Sequence, residues 1–156
     1  MVMRAVRNIV VACDGSLHAG QAAALAATLA LALPARLHLV HVFPGSVGEL
    51  FGMPGASAQL VGLTRFDQDA VRQLAEESAA EAFESAARML GDLAASAERR
   101  RLSGDPGVEL VRYAHGLDAP MIVVGPRGRG RVGEWLLGSV SQAVLHKARC
   151  PVLVAH

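Results

Sequence analysis

The sequence predicts an α/β fold, a doubly wound arrangement in which helices cover both faces of a five-stranded parallel sheet. Three observations predict it. Apolar runs of strand length alternate with longer stretches of helical spacing in the order βαβαβαβαβ. Ile9–Cys13 and Met121–Val124 are apolar at every position, as strands buried on both faces require. The chain is 52% hydrophobic but only 4% aromatic, so Ala, Val and Leu must pack helix against sheet at close range. Its 156 residues fit one domain, 1–156, since domains commonly run to about 100–200 residues. No internal repeat or shift in composition marks a second.

The elements follow in order. Ile9–Cys13 is the first strand, and Asp14-Gly15-Ser16 turns the chain, with Ser16 as N-cap of a helix from Leu17 to Leu33. Pro34 cannot continue that helix. Leu37–Phe43 is the second strand, carrying His38 and His41 among aliphatic residues. The Gly/Pro-rich stretch from Pro44 to about Thr64 is long for a structureless connection, which marks it as a flap or functional loop. From Phe66 to about Ala95, Val71, Leu74, Ala75, Ala79, Ala82, Phe83, Ala86, Leu90 and Leu93 keep helical spacing. Glu98–Ser103 falls where a third strand belongs, and its charges place it at a sheet edge. Asp105-Pro106 opens a helix as N-cap and first-turn proline. Pro120–Val124 is the fourth strand, a glycine-rich loop follows, then a helix from Ser139 to about Ala148 and a last strand, Val152–Ala155.

Composition excludes several functions. A formal net charge of +1 supplies no broad field for nucleic acid or an anionic membrane, so any anion must be attracted locally. The apolar stretch Ala22–Leu33 falls short of the ~20 residues that span a bilayer. Ile9–Cys13 is stopped by Asp14 and is too short for a signal-peptide core. Cys13 and Cys150 fall at opposite edges of a parallel sheet, where no disulfide can join them, and reduced thiols suit a cytoplasmic protein. No His/Cys/Asp/Glu cluster has metal-ligand spacing.

The informative stretch is Gly125-Pro126-Arg127-Gly128-Arg129-Gly130-Arg131-Val132-Gly133, continuing to Gly138-Ser139-Val140-Ser141. A strand feeds glycines that let backbone N–H groups approach phosphate oxygens, and a helix N-terminus adds donors and partial positive charge. Ser139 and Ser141 offer hydroxyls, while Arg127, Arg129 and Arg131 offer charge. Gly128-x-Gly130-x-x-Gly133 formally satisfies the dinucleotide fingerprint, but no Asp or Glu follows Glu134 to hold a ribose. Gly138-Ser139 lacks the lysine of a Walker A loop. Ser139 with His146 lacks the nucleophile elbow of a hydrolase. A plainer reading also stands: Ser139-x-x-Gln142 is a capping box that needs no ligand.

Four segments, in order and spacing, resemble the universal stress protein family from Asn8 to Val154. The most specific is Gly-x2-Gly-x9-Gly-Ser, met by Gly125, Gly128, Gly138 and Ser139; the others are Val11–Ser16, His41-Val42 and Cys150–Val154. The resemblance implies a Rossmann-like domain of the family's ATP-binding branch, with Mg accompanying the nucleotide. It places Ala12, Asp14 and Val42 near the adenine. Gly125, Arg127, Gly128, Gly138, Ser139, Val140 and Ser141 surround ribose and phosphates. It also implies a homodimer paired through Val152–Ala155. Pro126 departs from the family pattern and removes one backbone donor. The resemblance implies a nucleotide-binding regulator in the stress response, with at most slow ATP hydrolysis. The alternatives are a dimer of the same fold that binds no nucleotide and an ATPase or adenylyl-transferring enzyme.

Overall fold

A computed structural model of the chain describes residues 5–45, 68–128 and 136–156. Most of the expected flap Pro44–Thr64, together with Arg129, Gly130, Arg131, Gly133 and Trp135, lies outside the described residues.

The described elements are β1 (Asn8–Ala12), α1 (Leu17–Ala32), β2 (Arg36–Phe43), α2 (Gln68–Leu90), a 3-10 turn (Gly91–Ala95), β3 (Glu98–Ser103), α3 (Pro106–His115), β4 (Pro120–Val124), α4 (Ser139–Lys147) and β5 (Val152–Val154). The strands form one parallel sheet in the order β3-β2-β1-β4-β5. The chain builds outward from β1 to β3, then returns past β1 to add β4 and β5. That reversal between β1 and β4 leaves a crevice beyond the carboxyl ends of the strands, where ligands bind in folds of this kind.

Each face of the sheet has its own core. On one, Ile9, Val11, Leu37 and Leu39 pack against Ala22, Ala23 and Ala26 of α1 and Ala79, Ala82, Phe83 and Ala86 of α2. On the other, Val10, Val40, Ile122 and Val124 pack against Leu110, Val111 and Ala114 of α3 and Val144 of α4. The three α1 alanines are fully buried, so this helix lies close to the sheet, as the aromatic-poor composition requires. Truncating fully buried Leu39 to Ala would cost about 2–5 kcal/mol.

Local sequence explains most boundaries. Ser16 Oγ accepts from Ala19 N–H (3.1 Å) at the start of α1, which ends at Ala32 ahead of Pro34. Asp105 Oδ1 accepts from Val108 N–H (2.8 Å) at the start of α3, with Pro106 in the first turn. β3 is an edge strand as its charges predict, with Arg99 paired to Glu84 (3.6 Å) and Arg100 to Glu98 (2.6 Å). Cys13 is buried, Cys150 is half-buried, and both are free thiols.

Three expectations need correction. The second helix is α-helical only to Leu90 and tightens into a 3-10 turn at Gly91, whose φ of +56° breaks the α-helical path. Leu74 keeps core spacing yet is 45% exposed, since burial along α2 begins only at Ala79. The last strand stops at Val154, although Ala155 N–H still donates to the Val124 carbonyl (2.9 Å). Among the described residues, no helix is long and apolar enough to cross a membrane.

Candidate functional site

A crevice of about 150 Å³ opens beyond the carboxyl ends of β1, β2 and β4, on the face covered by α3 and α4. Of the residues singled out from sequence, Ala12, Asp14, Val42, Gly125, Arg127, Gly128, Val140 and Ser141 line it. Gly138 and Ser139 stand outside that lining. Cys13 after β1, Ala19 on α1, Val40 and Val124 on the strands and Pro106 and Leu110 on α3 complete the wall. The sequence reading missed these six because apolar side chains carry no chemical signature. For the α3 pair the signal lay in topology: the helix entering β4 must cover the face that α4 covers.

Asp14 sits where β1 leaves the sheet. Its Oδ1 accepts from Ser16 N–H (2.8 Å), so the carboxylate holds the turn into α1. Its other oxygen faces the glycine loop, where a Cβ built on Gly128 would lie 2.5 Å from Oδ2. Any side chain at residue 128 would therefore push on this carboxylate. Gly125 is less forgiving, since its Cβ would meet the His18 carbonyl oxygen at 2.7 Å. The neighbour there is helix backbone.

The two ends of the glycine loop are tied together. Gly138 N–H donates to the Pro126 carbonyl (2.7 Å), and a Cβ on Gly138 would stand 3.2 Å from Arg127 Cα. Ser141 Oγ donates to the Gly125 carbonyl (2.6 Å) from a buried position. The Ser141 hydroxyl thus ties α4 to the start of the glycine loop.

The capping box expected at Ser139 does not form. Gly138 is the N-cap of α4, Ser139 is its first, exposed residue, and no side chain caps the helix. Gln142 Nε2 turns instead to the Leu137 carbonyl (3.0 Å). Among the described residues, the amides at the start of α4 consequently meet no side-chain acceptor, in contrast to α1 and α3.

Electrostatics within the crevice are sparse. Among its described lining residues, Asp14 is the carboxylate and Arg127 the cation. Burial pushes the Cys13 thiol up to about 12; a backbone hydrogen bond opposes the shift and the Asp14 charge adds to it. Cys13 is therefore an uncharged, apolar part of the wall. No group of three His, Cys, Asp or Glu side chains among the described residues is arranged to hold a metal ion. A second cavity, of about 310 Å³, lies between α2 and the ends of β2 and β3, walled in part by His41 and Phe43.

A 3-2-1-4-5 parallel sheet with an apolar crevice at its reversal point, rimmed by glycines and a helix N-terminus, defines a Rossmann-like α/β protein. The sequence model of the universal stress protein family matches residues 5–156, and the chain belongs to that family. It is 37% identical over 148 residues to a universal stress protein of Thermus aquaticus, covering 95% of this chain and 97% of the relative. Among solved structures, hypothetical protein MJ0577 superposes with a TM-score of 0.70 at 25% identity, covering 99% of this chain and 96% of that one. The fold is shared with a universal stress protein solved in complex with cAMP (TM-score 0.61, 24% identity, 98% of each chain). It is shared too with the Archaeoglobus fulgidus protein solved with dAMP (TM-score 0.57, 21% identity, 99% of this chain and 100% of that one).

Proposed function

We propose that the crevice binds an adenine nucleotide, ATP with Mg²⁺ first among them, and that the protein is a nucleotide-dependent regulator, not an enzyme. The observation that carries this reading is the start of α4. Its amides have no side-chain cap, and they open beside glycines at the reversal point of the sheet. Such a terminus supplies donors and partial positive charge to phosphate oxygens without a lysine. That cAMP and dAMP are held by proteins of this fold supports an adenine nucleotide as the class to test first.

The division of labour follows from chemistry. Ala12, Val40, Val42 and Leu110 form an apolar slot for the flat faces of a base, with Asp14 at its polar edge. At about 150 Å³ the slot is smaller than the ~300–1,000 Å³ usual for whole ligands, so it takes the base end. Sugar and phosphates lie across the mouth, along Gly125, Arg127, Gly128, Gly138, Ser139, Val140 and Ser141. Mg²⁺ commonly keeps several waters and binds substrate phosphates, so with Asp14 at the base end the ion would be held mainly by the phosphates and water. Turnover needs a residue that positions water. The carboxylate on the described wall is Asp14, already engaged by Ser16 N–H, which favours binding over catalysis. β5 forms one edge of the sheet with half-buried apolar side chains, and pairing of Val152–Ala155 with a second copy would cover that edge.

Calorimetric titration of nucleotide-stripped protein with Mg-ATP tests the reading, with AMP as comparison and sedimentation equilibrium reporting the dimer. Saturation near one ATP per chain is expected, weaker for AMP. Gly138→Val should abolish it, because a side chain there meets Arg127 Cα and blocks the loop. Absence of heat from folded wild-type protein refutes nucleotide binding, and a monomer refutes the pairing of strands.

A further inference from the structure

His41 is 6% exposed and stands outside the lining of the crevice, yet it is bonded to the chain at the crevice's edge. Its Nδ1 lies 2.7 Å from the Cys13 carbonyl oxygen. A carbonyl oxygen only accepts, so Nδ1 carries the proton. In that tautomer Nε2 accepts from the Ser78 hydroxyl of α2 (3.1 Å). Phe83 packs edge-on against the ring, with centroids 6.4 Å apart at 77°. The imidazole is therefore held at both nitrogens and against one face.

What it holds matters for the site. Cys13 N–H donates to the Val40 carbonyl (2.8 Å), so both polar groups of Cys13 are fixed. The Cys13 carbonyl belongs to the peptide unit that leads into Asp14. Its direction sets where the Asp14 carboxylate stands between Ser16 N–H and Gly128. His41 faces α2, whereas Ala12 and Val42 face the crevice. Asp14 is thus oriented from behind, through the sheet.

We infer that His41 is a positioning residue of the nucleotide site: its Nδ1–H fixes the Cys13–Asp14 peptide, and nucleotide affinity depends on that bond although His41 touches no ligand. The inference rests on the reading of the crevice proposed above. Two substitutions separate it from a merely structural role. The amide nitrogen of Asn lies close to the place of Nδ1, and the amide oxygen of Gln can take the place of Nε2 as acceptor. His41→Asn keeps the donor to Cys13 and loses the acceptor for Ser78; His41→Gln does the reverse.

Affinity for Mg-ATP and the thermal midpoint should be measured for both variants, with amide shifts and hydrogen exchange of Asp14 and Gly15 in ligand-free protein. His41→Asn should bind within about threefold of wild type and His41→Gln about tenfold more weakly, the loss of one buried hydrogen bond. The Asp14 amide should shift and exchange faster only in His41→Gln. The inference is overturned if both variants bind like wild type, or if both weaken together in step with their thermal midpoints. Failure of wild-type protein to bind Mg-ATP removes the nucleotide reading. The positioning claim is then decided by the ligand-free amides: a response confined to His41→Gln upholds it, and equal responses overturn it.

Discussion

Two glycines on one loop should respond to alanine in opposite ways, because the atoms their new methyl groups meet differ in kind. At Gly125 a Cβ would lie 2.7 Å from the His18 carbonyl oxygen and 2.8 Å from its carbon, both in the backbone of α1. Helix backbone cannot yield without moving the fully buried alanines that follow it, so the strain stays in the fold. Overpacking of this sort costs about 1–3 kcal/mol, and the Gly→Ala gain in the unfolded chain offsets about 0.4–1 of it. The centre of those ranges leaves a net cost of about 1.3 kcal/mol, and with about 2–4 °C per kcal/mol for a domain this size Gly125→Ala should melt roughly 3–5 °C lower. At Gly128 the neighbour is Asp14 Oδ2 at 2.5 Å, the free end of a side chain that can rotate away. Rotation sacrifices the Asp14–Ser16 hydrogen bond, worth about 1 kcal/mol, which the Gly→Ala gain nearly cancels. Gly128→Ala should therefore melt within about 3 °C of wild type while binding Mg-ATP less tightly. Circular dichroism melts and calorimetric titration of both variants provide the assay. A Gly125→Ala variant as stable as wild type would refute the steric argument. A Gly128→Ala variant with wild-type affinity would remove Asp14 and Gly128 from the site.

Two further outcomes follow from burial of titratable groups. Burial lowers the pKa of His38 from its ordinary 6.5; Glu98 opposes the shift, and Arg100 and Arg36 add to it. Between the folded value and 6.5 the unfolded chain holds more protons, so stability from neutral His38 is complete above pH 6.5 and falls as pH drops through that window. Urea melts between pH 5 and 7.5 should show a steeper fall for wild type than for His38→Gln, and equal slopes would refute the assignment. Burial also raises both thiols, Cys13 to about 12, and Cys13 is 3% exposed. At pH 8 iodoacetamide should label Cys150 more than about tenfold faster than Cys13, and equal rates would overturn the burial argument.

Much of the architecture was legible because strand burial and helix spacing leave separate periods in the sequence. The run at β1, the Ser16 and Asp105 caps and the charged edge at β3 each follow from one local rule, and tertiary structure agrees with them. Leu74 misled because spacing records which face of a helix is apolar, not which turns of that face are covered. The crevice was legible only through its glycines and Asp14. Pro106 and Leu110 complete the wall from α3, and their place depends on strand order, which no local pattern encodes.

The failure at Ser139 is of a different kind and says more about function. A helix needs its first amides satisfied, and Ser139 with Gln142 three residues later had the residues to do so. The chain instead starts α4 one residue earlier, on a glycine that cannot cap. Exchanging a capping side chain for Gly at this position costs only about a few tenths of a kcal/mol, so the choice is cheap for the fold. It has two consequences at once. With no side chain, Gly138 can approach Arg127 closely enough for its N–H to reach the Pro126 carbonyl at 2.7 Å and close the loop. With no side-chain acceptor among the described residues, the amides of the first turn are left to whatever lies in front of them. A serine at residue 138 would serve the helix and spoil both. Departures from local rules gather where a site imposes its own demands. Here one residue accounts for loop closure and for open amides, so the glycine spacing serves the crevice more directly than it serves the helix.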